Sequence, residues 1–74
     1  MNLEDKVLAV MQDVFGVDSV STTVSQKNCE QWDSLRHLAL ASELEDVLNI
    51  ELEPEEIAEM TDFSRVIDMI KTKL

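Results

Sequence analysis

Gln31-Trp32-Asp33-Ser34-Leu35 joins two unlike stretches of this chain. Before it lies Val17–Asp33, rich in Ser, Thr, Asn and Gln, with neither a helical nor a strand period. After it comes the longest helical pattern in the sequence. Leu35, Leu38, Leu44, Val47 and Leu48 supply apolar positions, with Leu40 and Ala41 between them. Asp33 is the expected N-cap of this helix, because its carboxylate can accept from the unpaired N–H groups of the first turn. Ser34 opens the helix, at the positive end of its dipole, and its hydroxyl is expected to face solvent. Asn49 ends the pattern.

Working outward, the spacing of Leu3, Val7, Val10, Met11 and Val14 predicts a first helix over Leu3–Phe15, with Leu8 and Phe15 widening its stripe. Glu4 and Asp5 suit its first turn, and Gly16 is a natural left-handed stop. A strand over Val20–Val24 is the alternative reading of the polar stretch. No second strand-like run exists to pair with it, so a long loop pinned by Val17, Val20 and Val24 is expected, with at most one helical turn. Beyond Asn49, Ile50 and Leu52 alternate with Glu51 and Glu53 as an extended connector. A short helix starts at Pro54, with Ile57 and Met60 facing the core. Thr61 or Asp62 caps a last helix carrying Phe63, Val66, Ile67, Ile70 and Leu74, with Lys71 and Lys73 in its final turn. The expectation is an all-α bundle of three longer helices and one short one, forming a single domain over residues 1–74.

Composition narrows the function. Sixteen acidic residues against six basic ones give a net charge of −10. That charge argues against nucleic acid and against anionic membranes as partners, and favours proteins with basic patches. One cysteine, Cys29, rules out an intramolecular disulfide. With His37 the only histidine, a cysteine–histidine zinc site lacks ligands. The acidic residues do not follow a calcium-loop spacing, so no metal site is expected. The Met1 start, the absence of a basic-then-apolar leader and the single thiol predict a free-standing cytoplasmic monomer. The serine–histidine pair Ser34/His37 lacks the glycine-rich surroundings of a nucleophile elbow, so His37 is expected on the helix surface. Cys29, beside Glu30, reads as incidental. Trp32 either contacts a partner or packs its loop against the bundle.

By helix physics alone, a serine at a helix start needs no chemistry to explain it, because serines there commonly help to cap. The whole chain says more. Asp33-Ser34-Leu35, then Leu44-Glu45 and Leu48-Asn49-Ile50-Glu51-Leu52, at these spacings and in a chain of 74 residues, resemble the acyl carrier protein family over nearly the full length. The resemblance implies a carrier and not an enzyme. Ser34 would hold 4′-phosphopantetheine derived from coenzyme A, attached by a phosphopantetheinyl transferase. The arm would carry acyl groups as thioesters to separate enzymes of fatty-acid, polyketide or other specialised acyl metabolism. Asp33 would position the attachment site. Leu35, Arg36, Leu38, Glu45, Asp46 and Leu52 would form the docking surface for acyl-transferring or acyl-modifying enzymes with basic patches. Met11, Leu44, Met60 and Met69 are candidate lining for a sheltered acyl chain, or ordinary core.

Two departures stand out. Family members of fatty-acid synthesis usually carry acids soon after the serine, where this chain has Arg36, His37 and Ala39; acidity returns at Glu43, Glu45 and Asp46. Trp32 stands where a small residue is common. Both fit a carrier serving a dedicated pathway. The competing readings are an unmodified acidic adaptor that binds a basic partner and a carrier of aminoacyl or peptidyl groups.

Overall fold

The computed structural model describes residues 2–74 and contains four helices: α1 (Leu3–Phe15), α2 (Ser34–Leu48), α3 (Pro54–Glu59) and α4 (Phe63–Lys71). The bundle is all-α, as expected.

Local chemistry sets the helix ends. Asn2 caps α1, its Oδ1 accepting from the Asp5 N–H at 2.8 Å. Gly16 closes it in the left-handed region at φ 67°, its N–H donating to the Gln12 carbonyl at 2.9 Å. Most side chains resist that conformation, and glycine does not. Asn49 does the same for α2 at φ 55°. Pro54 opens α3, where a missing N–H costs nothing. Asp62, one of the two expected caps, starts α4 by accepting from the Arg65 N–H at 2.8 Å.

The core is one cluster. Val7, Val10, Met11 and Phe15 of α1 meet Leu40, Ala41 and Leu44 of α2, with Phe63, Val66, Ile67 and Ile70 of α4 closing the other side. Ile50 and Leu52 of the connector turn inward while Glu51 and Glu53 face water. Each fully buried aliphatic side chain contributes about 1.5–3 kcal/mol of transfer free energy.

The Val17–Asp33 loop packs by Val24, which is buried, and by Val17 and Val20, which are half-buried. It forms no strand over Val20–Val24. Its regular pairing is a single antiparallel bridge, Ser25 to Asp62, in which the Gln26 N–H donates to the Thr61 carbonyl and the Phe63 N–H to the Val24 carbonyl. The loop is thereby tied to the start of α4.

Two expectations for the C-terminal segment need correction. Leu74 is exposed and does not join the core. Lys73 lies beyond α4, and its ammonium reaches Glu56 of α3 at 2.7 Å. None of the six residues of α3 is buried. A helix this short, with so little apolar burial, needs polar tethers, and this ion pair is one of them. The hydrogen bond from Lys73 holds the Glu56 carboxyl below its ordinary 4.5, helped by the Glu53 N–H. The same bond raises Lys73 above 10.5. A lowered carboxylate stabilises the fold fully above its ordinary value and loses that contribution as the pH falls through the lowered one. A raised lysine loses its contribution as the pH climbs through its raised value. Amide hydrogen exchange in α3 should therefore be slowest between about pH 5 and about pH 10, and Lys73→Met should flatten that dependence. A pH-independent exchange rate, after correction for intrinsic chemistry, would show that the pair does not hold α3.

Candidate functional site

The start of α2 is built around Asp33. Its backbone is extended, its Oδ1 accepts from the Arg36 N–H at 2.8 Å, and its carbonyl accepts from the His37 N–H at 2.8 Å. Its second carboxylate oxygen pairs with the Arg36 guanidinium at 3.0 Å. Capping thus belongs to Asp33. Ser34 is the first helical residue and is exposed, and its hydroxyl takes no part in the side-chain hydrogen bonds among the described residues. The structure leaves that oxygen without a capping duty.

The electrostatics suit an anion on Ser34. The Ser34 and Leu35 N–H groups fall in the first turn, where helices lack intrahelical acceptors, and the α2 dipole adds partial positive charge. The Asp33 carboxylate would repel a phosphodiester, but the Arg36 cation beside it offsets that charge. The residues present therefore fit a phosphate-linked group on the serine oxygen.

Beside Ser34, Leu35 is 80% exposed and Leu38 60% exposed. Asp46 is exposed on the same outward face of α2. The other expected surface residues behave differently. Leu52 is 8% exposed and belongs to the core. Glu45 is half-buried, its Oε2 accepting from the Leu52 N–H at 2.9 Å, so it braces the connector. Arg36 is engaged by Asp33, so the expected reversal of charge near the serine is largely neutralised in place.

His37 overturns the surface reading most clearly. It is 9% exposed and lies between the loop and α3. The Trp32 indole N–H donates to its Nδ1 at 2.9 Å, and its Nε2 lies 2.6 Å from the Ile57 carbonyl. Its position was legible: residues 37, 40, 41 and 44 share a helical face, and the last three are core. Trp32 is buried at 2%, its ring 5.3 Å from that of Phe15, so it packs the loop against the bundle. Met11, Leu44 and Met60 are fully buried and Met69 half-buried, which makes them core packing in this state. Among the described residues no His/Cys/Asp/Glu cluster could hold a metal, and no helix is long and apolar enough to cross a membrane.

No protein-family model matches the chain, and no curated protein does either. The chain superimposes on the solution structure of a holo acyl carrier protein from Geobacter metallireducens with a TM-score of 0.86. The match has 25% sequence identity and covers 99% of this chain and 86% of the other. The fold is that of an acyl carrier protein. The likeness thus extends from the sequence to the arrangement of all four helices, with Asp33-Ser34-Leu35 at the start of α2.

The division of labour between Asp33 and Ser34 can be measured. Asp33→Ala should destabilise by about 1 kcal/mol through the lost cap, or about 4–8 °C in Tm for a domain of this size. Ser34→Ala should stay within about 0.5 kcal/mol. Thermal melts with the opposite ranking would return the cap to Ser34.

Proposed function

We propose that residues 1–74 form a single carrier domain whose Ser34 is the attachment point of 4′-phosphopantetheine. The observation that carries this reading is the exposed Ser34 hydroxyl, free of capping, at the N-terminus of α2 in an acyl carrier fold. The holo state of the Geobacter protein supports it by analogy.

When bound, the arm supplies a thiol that holds an acyl group as a thioester. The chain's own residues do the rest. Asp33 fixes the first turn of α2 and so the direction in which the serine oxygen leaves the surface. Arg36 offsets the Asp33 charge, and the helix dipole favours the phosphodiester. The protein then acts as cosubstrate for separate enzymes of fatty-acid, polyketide or other specialised acyl metabolism. The small soluble-type bundle and lone thiol suit a cytoplasmic monomer.

For docking, the reading places Leu35 and Leu38 at the centre, as exposed apolar contacts beside the attachment site, with Asp46 meeting basic residues of the partner. Leu52 and Glu45, occupied within the fold, are left out of it.

Intact-mass measurement after incubation with coenzyme A and a broad-range phosphopantetheinyl transferase should show one added phosphopantetheine, and none in Ser34→Ala. No mass change with several transferases would favour the unmodified acidic adaptor. Loading by an amino-acid-adenylating enzyme would point to aminoacyl cargo. Leu38→Asp, at an exposed position, should keep the melting temperature while slowing transferase modification on the order of tenfold, equivalent to about 1.4 kcal/mol of lost contact energy. An unchanged rate would remove Leu38 from the docking surface.

A further inference from the structure

The only histidine in the chain is also the only buried polar or charged residue among those described. Its two ring nitrogens join three parts of the fold: the end of the loop, α2 and α3. An indole N–H can only donate, so Nδ1 must accept with a bare lone pair. The single proton of the neutral ring then sits on Nε2 and is donated to the Ile57 carbonyl. The geometry admits one tautomer of one charge state.

We propose that His37 is a protonation-controlled latch on the segment leading into α2: the neutral ring pins Trp32, and a proton on Nδ1 unpins it. The proton takes up the lone pair that binds the indole. The imidazolium then points an N–H at the indole N–H, and a buried donor is left without a partner. The other bond responds in the opposite sense, because Nε2–H remains a donor to Ile57 and gains a charge. α3 therefore keeps its tether while the loop loses its own. Trp32 immediately precedes Asp33 and Ser34, so the freed segment is the one that carries the α2 cap and the serine.

Apart from the Ile57 carbonyl, the surroundings do not compensate the charged ring. No carboxylate stands within ion-pair distance of it among the described residues. On the loop and α2, Asp33 is paired with Arg36, and Glu30 is exposed. On α3, Glu56 is paired with Lys73, and Glu59 is exposed. The nearest ring is the Trp32 indole itself, at 6.0 Å between centroids. The latch is a property of the unmodified chain and does not depend on the carrier reading.

Trp32 is the only tryptophan, so it reports directly. On acidification of the intact protein from mildly alkaline solution, its emission should shift to the red as the ring takes up its second proton. After correction for the intrinsic pH dependence of exchange, protection of its indole proton should fall by at least on the order of tenfold. His37→Gln, whose amide can serve both partners without titrating, should show neither change. The same transition in His37→Gln would overturn the proposal. Should that variant fail to fold, nitrogen and proton NMR of the wild type decides. The His37 ring should begin as the Nε2–H tautomer, and its protonation should run in step with movement of the Trp32 indole resonance. Ring protonation with an unmoved indole signal, or a ring that starts as the other tautomer, would refute the latch. Phosphopantetheine transfer plays no part in these readouts, so a failure of the carrier proposal would be seen separately.

Discussion

The contact on which the arrangement depends is the Trp32 indole, held between the Phe15 ring and the His37 imidazole. A chain of 74 residues without a disulfide has little surplus burial with which to hold a long polar loop. Closing such a loop costs entropy, and its Ser- and Thr-rich sequence offers few apolar contacts in return. Trp32 supplies a large one at the loop's last turn, where its N–H also finds a buried acceptor. With the indole in place, Asp33 arrives at α2 in the extended conformation a cap requires. The same anchor sets where Ser34 leaves the surface.

Around that anchor the molecule uses polar side chains where apolar burial is thin. Glu45 holds the connector through the Leu52 N–H, and Glu56 holds α3 to the chain beyond α4. His37 holds α3 as well, through the Ile57 carbonyl. The net charge of −10 therefore misleads if spread evenly over the surface. Some carboxylates are structural, and the first turn of α2 is close to neutral because Asp33 and Arg36 face each other. This local neutrality suits a phosphodiester on a surface that would otherwise repel it.

The helices and most of their ends were legible in the residues, because the signals are local. Gly16 and Asn49 accept left-handed backbone, Pro54 fits a first helical position, and Asp33 and Asp62 are good caps. The apolar spacing of α1 and of Phe63–Ile70 selects the faces that are buried. The geometry of the candidate site was legible in part for the same reason: the Asp33-Ser34 pair defines its own helix start. A histidine is expected at a surface, and the structure buries His37. Its share of the Leu40–Leu44 face was present in the spacing, but its partners Trp32 and Ile57 are brought together only by folding. The family resemblance puts Leu52 on a docking surface, whereas the alternation of Ile50 and Leu52 with Glu51 and Glu53 predicts the inward position that the structure shows.

The residues by themselves determined an all-helical chain, its breaks and caps, and a serine at the mouth of its longest helix. These follow from backbone preferences and hydrogen bonds that act over three or four positions. The tertiary structure alone decided that the serine hydroxyl is free, that Arg36 neutralises Asp33, and that one histidine clamps the loop and α3 together. Those outcomes depend on which groups meet in space, and a donor such as the Trp32 indole meets its acceptor only when packing delivers both to the same place.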